Sequence, residues 1–210
     1  MTPRELAEEE GKPIAVAWID ASIRALEAHC EWVVGADEPG SRRIVESALA
    51  TNFSISARGL SLLPWLWWIT GMYRSARQVL ERSDAFFFDA TDGEARELFG
   101  ASGLPPAYAI FERGVFFTTA FAPWDPARKV GFGPQCRAAM VLHESIHVVD
   151  PRSGEPEIHI SEWDEPAFSA QSAEASIRNP SAYASFGAQV YTRSLDWPRS
   201  ARYGAGSPAV

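Results

Sequence analysis

The sequence predicts an α+β fold, mostly helical with a small sheet. Three observations lead there. Long segments with apolar residues at helical spacing fill both ends of the chain. Short strand-like runs occur only near the middle. The order runs helices, strands, helices, with no strand–helix alternation of the kind that builds a parallel sheet.

The elements follow in order. "IAVAWIDASIRALEAHCEWVV" (14–34) repeats apolar residues every three or four positions and should stop as a helix in "GADEPG". "SRRIVESALATNF" (41–53) is a second, shorter amphipathic helix. "LSLLPWLWWIT" (60–70) is the most apolar run, interrupted by Pro64, and reads as core or as a groove wall. It is much shorter than the ~20 residues of a spanning helix. "GMYRSARQVLER" (71–82) is a third helix, and "AFFFDA" (85–90) a short buried strand. "DGEARELFG" is a helical turn closed by Gly100. "AYAIFE" (107–112) and "GVFFTTAF" (114–121) form a hairpin across Arg113 and Gly114. After a loop, a helix runs from near Gln135 to Asp150–Pro151. A further helix spans roughly 165–178, broken by Asn179–Pro180, and a last one spans 181–195. The Pro/Gly-rich tail, 196–210, should fray. A length of 210 residues suits a single domain: a core over 41–195, a helical extension over 1–40 and the tail.

Composition excludes some classes. A net charge of −8 without a basic run argues against a nucleic-acid surface and against an anionic membrane surface. The N-terminal segment lacks the apolar stretch of a secretory signal, so the expectation is a cytoplasmic protein, with signal-independent export as the alternative. Cys30 and Cys136 lack the spacing of a zinc knuckle or redox motif and read as two buried thiols, with a disulfide between them as the alternative.

The chemistry concentrates in "AAMVLHESIHVVD" (138–150). His143 and His147, four apart on a helix, lie on one face one turn apart and can both reach one Zn²⁺. Glu144 lies about 100° round the helix and can point at a water beside the ion. A carboxylate there takes a proton as the water attacks a polarised carbonyl, then passes it to the leaving amine. The apolar flanks matter, because an unpaired carboxylate in such a helix is costly and a metal with its water relieves that cost. The alternative is a satisfied polar patch in a core.

A zinc site needs a third protein ligand. Asp150 and Ser153 stand where an extended H-E-x-x-H-x-x-G-x-x-H pattern needs other residues, so that pattern is excluded. The downstream candidates are Asp150, His159, Glu162, Asp164 and Glu165. Asp150 lies seven residues after His143, about 10.5 Å along a helix axis, which suits a hydrogen bond to a ligand histidine or closure of the helix. His159, in the alternating "EIHI", reads as a loop or edge-strand residue. The acidic cluster "SEWDEPAF" (161–168) is the favoured source. Ser161 with Asp164 resembles a capping box, Pro166 suits a first helical turn, and Glu165 can reach back to the metal.

"CRAAMVLHESIH" after a strand and loop, "EPAFS" (165–169), and "NPSAY" (179–183) together resemble the deuterolysin-like zinc metallopeptidases, the aspzincins. The resemblance covers about residues 41–192, including "RRIVESALATNF". It implies a zincin-like fold with a small sheet beside the active-site helix. It also implies zinc held by His143, His147 and Glu165, with Asp164 as the alternative third ligand, and Glu144 as general base. Phe168 stands where the family has a tyrosine, which leaves stabilisation of the developing oxyanion to Tyr183 or to the metal alone. The function so implied is a zinc metalloendopeptidase acting on a protein or peptide, with the strand near 114–121 binding substrate by edge pairing. The alternative is a zinc-stabilised binding domain without turnover.

Overall fold

The computed structural model describes residues 1–100 and 104–195. Helix α1 (Pro3–Leu6), closed by a Thr2–Glu5 capping box, runs through a π-helical turn (Ala7–Gly11) into α2 (Lys12–Val33). Helix α3 (Arg42–Phe53) ends where Ser54 turns left-handed. A 3₁₀ turn (Gly59–Leu62) leads into α4 (Leu63–Glu81) and then α5 (Ser83–Phe86). Strand β1 (Phe87–Asp89), helix α6 (Asp92–Phe99), strand β2 (Ala107–Ile110) and strand β3 (Gly114–Phe117) follow. Helix α7 (Pro134–Val149) carries the histidine motif, and α8 (Glu165–Ala170), α9 (Ala173–Ser176) and α10 (Pro180–Thr192) complete the described chain.

The coarse class is α+β, mostly helical with one three-stranded sheet. Helix α10 is buried at every residue from Pro180 to Val190, as a helix surrounded by others must be. Helices α2, α3 and α7 pack around it. Trp18, Ile19, Leu26, Leu66, Tyr73, Leu142, Ile146 and Phe186 form the centre of one continuous apolar core. Tyr73 donates from its hydroxyl to the Tyr183 carbonyl at 2.8 Å, tying α4 to α10.

Several expectations need correction. The apolar run 60–70 is not uniformly core. From Leu63 it is the first part of α4, with Pro64 in the opening turn, where a missing N–H costs nothing. Leu66, Ile69 and Thr70 turn inward, whereas Trp67 and Trp68 are 63% and 40% exposed. The helix expected over 165–178 is two short ones, α8 and α9. Gln171 adopts an extended conformation between them and uses its side chain elsewhere, and Ser172 caps α9 by accepting from the Ala175 N–H.

The sheet order is β1-β3-β2, with β1 parallel and β2 antiparallel to β3. Strand β3 is therefore central, not an edge, and the open edge nearer α7 belongs to β2. Residues 1–40 are not an appended extension. Leu6, Ala7, Ala15 and Trp18 belong to the core, and the buried Arg137 of α7 pairs with Glu10. Gly11 sits against α7, where an added Cβ would lie 3.0 Å from Val141 Cγ2 and 3.3 Å from the Arg137 carbonyl oxygen. Cys30 and Cys136 are both free thiols. The tail expected to fray, 196–210, lies outside the described residues. Among the described residues, no helix is long and apolar enough to cross a membrane.

Candidate metal centre

Helix α7 starts with Gly133 as N-cap and Pro134 in its first turn. Cys136, Ala138, Ala139, Val141, Leu142, Ile146 and Val148 are buried, and this anchors the helix along its length. His143 and His147 project side by side from it, with Nε2 atoms 3.2 Å apart. The loop after α7 returns His159, whose Nε2 lies 3.0 Å from that of His143. The three rings stand edge-to-face, with centroids 4.8–5.1 Å apart. Among the described residues, these three histidines form the group whose ligand atoms converge closely enough to hold a metal ion.

The spacing fits such an ion. Three nitrogens bound to one tetrahedral Zn²⁺ at 2.0–2.1 Å would stand about 3.3 Å apart. The tautomer of His147 is also suitable. The Ser153 hydroxyl donates its one hydrogen to the Asp150 carbonyl at 2.6 Å, so at 2.8 Å it must accept from His147 Nδ1–H. That leaves the His147 Nε2 lone pair facing the other two rings. Ser181 Oγ lies 3.3 Å from His143 Nδ1 and can orient that ring in the same way. Burial, helped by the neighbouring imidazoles, keeps His143 well below the usual histidine range. Burial, then His159, pushes His147 down to about 3, and burial lowers His159 as well. All three are neutral at neutral pH, and lone pairs crowded this closely gain most from a cation or a shared proton.

A polar framework holds the loop that carries His159. Gln171 Nε2 donates to the Ile158 carbonyl at 2.8 Å, and Asn179 Nδ2 donates to the Ile160 carbonyl at 2.7 Å. Asn179 Nδ2 also reaches Gln171 Oε1 at 2.8 Å, and Asn179 Oδ1 accepts from the Ser181 N–H. The two buried amides grip the backbone on either side of His159. Ile158, 3% exposed, anchors the same segment.

Glu144 is half-buried beside His143, and burial raises its carboxyl to about 8. It lines a cavity of about 450 Å³ together with His143, His159 and Ser181. Phe132, Cys136, Ala139, Met140 and Trp163 form the apolar wall, and Pro106 and Ala107 of the β2 side close it.

His143 and His147 come together as expected, with Glu144 alongside. The third member is His159, not Glu165. Glu165 is exposed at the first position of α8 and outside the converging group. Successive tight turns after α7, closed by Ser153 N to Asp150 O, Glu155 N to Arg152 O and His159 N to Glu155 O, fold the chain back over the helix early. Residue 159 thus reaches the pair first. Asp164 caps α8 by accepting from the Ala167 N–H, and Glu162, 6% exposed, lines the cavity.

Asp150 stays outside the group and closes α7. Both of its carboxylate oxygens accept from Arg178 at 3.0 Å, and its backbone carbonyl supports His147 through Ser153. Tyr183 is not positioned for the role expected of it. It is fully buried against Phe53 and Tyr73, and its hydroxyl donates to the Ile177 carbonyl at 2.5 Å. Phe168 is buried in the core. Gln171 and Ser153 went unread in the sequence, and their signal is faint: polar residues beside turn-forming ones.

No family model, no curated protein and no solved structure matches the chain.

Proposed function

We propose that this chain is a zinc-dependent peptidase in which His143, His147 and His159 hold the ion and Glu144 is the general base. The observation that carries this reading is the convergence of three Nε2 atoms at 3.0 and 3.2 Å, next to a glutamate that faces a cavity. A zinc ion on three neutral imidazoles supplies a Lewis acid and lowers the pKa of water.

The chain's own residues supply the rest. Glu144, raised to about 8 by burial, is drawn back toward its ionised form by a neighbouring cation and can then take a proton from the attacking water. It returns that proton to the leaving amine. Strand β2 offers an edge for the substrate backbone. The Pro106 carbonyl accepts from Thr118 N, which turns the polar groups of Tyr108 and Ile110 toward β3 and those of Ala107 and Ala109 away from it. An extended peptide can pair with that open side, and Ala107 borders the cavity.

Glu144→Gln is the direct test. The zinc-loaded chain should cleave an unfolded protein such as reduced casein, and the variant should retain one zinc per chain while losing activity by about 10²–10⁴-fold. Equal cleavage by variant and parent, or none by the parent, would reject the reading. A second reading, a zinc-stabilised binding domain, is favoured by one observation. Neither Phe168 nor the Tyr183 hydroxyl, tied to Ile177, offers a phenol to the site. One tightly bound zinc with no hydrolysis across a peptide library would support that alternative.

A further inference from the structure

We infer that the cavity beside the histidine triad selects a large apolar side chain next to the bond being attacked. This rests on the peptidase reading above and adds a substrate class to it.

The geometry comes from α7. Cys136, Ala139, Met140, His143 and Glu144 all line the cavity and recur at three- and four-residue spacing, so they form one face of the helix. Cys136 lies seven residues before His143, about 10.5 Å along the axis. The cavity therefore extends about two turns from the triad toward the start of α7, with the metal ligands at one end and apolar surface at the other. Its volume of about 450 Å³ is within the range of small-ligand sites, about 300–1,000 Å³.

The wall decides which side chain enters. Phe132 arrives from the loop before α7, Met140 from the helix and Trp163 from the loop after His159. All three are half-buried, so each keeps apolar surface for an occupant. Three large apolar residues from three segments, converging on one concave site, mark a binding surface rather than scattered exposure. The charged groups of the lining outside the triad are Glu144 and Glu162, both acidic, which disfavours an acidic side chain. Glu162 is only 6% exposed and presents little of itself to a basic one.

The test uses the zinc-loaded full chain and three simple hydroxamates that differ in side chain, with affinities read by calorimetry. 3-Phenylpropanohydroxamate should bind at least tenfold more tightly than acetohydroxamate, since one added methylene in an apolar pocket is already worth about 10–200-fold in discrimination. 6-Aminohexanohydroxamate should bind no more tightly than acetohydroxamate. Ala139→Phe, which fills the cavity, should erase the preference with zinc content unchanged. Met140→Ala should reduce it and serves if the first variant does not fold. Equal affinities for all three probes, or tightest binding of the amino compound, would overturn the inference. Hydroxamate binding needs the ion and the cavity but not turnover. Selective binding without casein cleavage would therefore reject the peptidase reading and leave the selectivity standing, whereas cleavage without selective binding would do the reverse.

Discussion

Replacing His159 by alanine separates the two possible ligand sets most sharply. Structural zinc sites bind with about 10–16 kcal/mol of apparent free energy, which spread over four ligands is roughly 2.5–4 kcal/mol each. At about 1.4 kcal/mol per tenfold, losing one ligand should weaken zinc binding by about 100- to 1,000-fold. The upper part of that range is expected here. The Nε2 spacings of 3.0 and 3.2 Å are already near the tetrahedral value, and Gln171 and Asn179 fix the loop, so little binding energy is spent on ordering. Glu165→Ala, at an exposed helix start, should change zinc affinity by less than about twofold. Competition with a chromophoric chelator at pH 7.5 measures both, and circular dichroism checks that each variant is folded. Equal affinity of His159→Ala and the parent would refute the triad, and so would an equal loss on removing Glu165.

The metal-free protein should be most stable near pH 6.5. His29, His143, His147 and His159 all have pKa values lowered chiefly by burial, so the unfolded chain binds more protons below about 6.5 and stability falls as the pH drops. Glu144, raised to about 8, holds a proton in the folded state that the unfolded chain has lost, so stability falls again between 6.5 and 8. Urea midpoints from pH 4.5 to 8.5 that rise or fall monotonically would contradict this. Tyr183→Phe should cost about 0.5–1.5 kcal/mol by removing one of the two donors to the Ile177 carbonyl, Trp68 Nε1 remaining, with kcat unchanged. A large loss of kcat in a stable variant would restore the catalytic role rejected above. Glu10→Ala should cost about 1–3 kcal/mol in a denaturant melt, because it leaves the buried Arg137 with the Phe132 carbonyl but no counter-charge, and a neutral result would mean that Arg137 is satisfied without it.

Periodicity revealed what is local. The helix expected over 14–34 is observed as Lys12–Val33, the one over 41–53 as Arg42–Phe53, and the motif helix as Pro134–Val149, because each carries its own apolar stripe and stop signal. Sheet order was not legible. Strand β1 pairs with Val115–Phe117 across helix α6 and the β2 strand, and nothing within "AFFFDA" specifies that partner. The hairpin suggested an edge at 114–121, but the parallel pairing buries that edge and leaves β2 beside the cavity. The N-terminal segment misled for a related reason. "AEEEG" looks like a solvated acidic stretch, yet Glu10 meets a buried arginine 127 positions away.

The site divides along the same line. His143, Glu144 and His147 lie within about one helical turn, so their relation follows from 3.6 residues per turn and nothing else. The third member of the group depends on how the chain returns, and there the sequence offered two kinds of evidence. Charge and capping pointed to 161–165, and the capping part was sound, since Asp164 caps α8. That same capping works against Glu165 as a ligand, because it places Glu165 at the exposed start of α8, beyond the loop that has already crossed the motif helix. His159 sits in a short alternating stretch that does not mark a ligand; its position comes from Gln171 and Asn179, whose amide N–H groups donate to the Ile158 and Ile160 carbonyls. A buried amide at a helix break is costly unless it holds something. Here two such amides, Gln171 between α8 and α9 and Asn179 before α10, hold the segment that brings His159 to the helical pair.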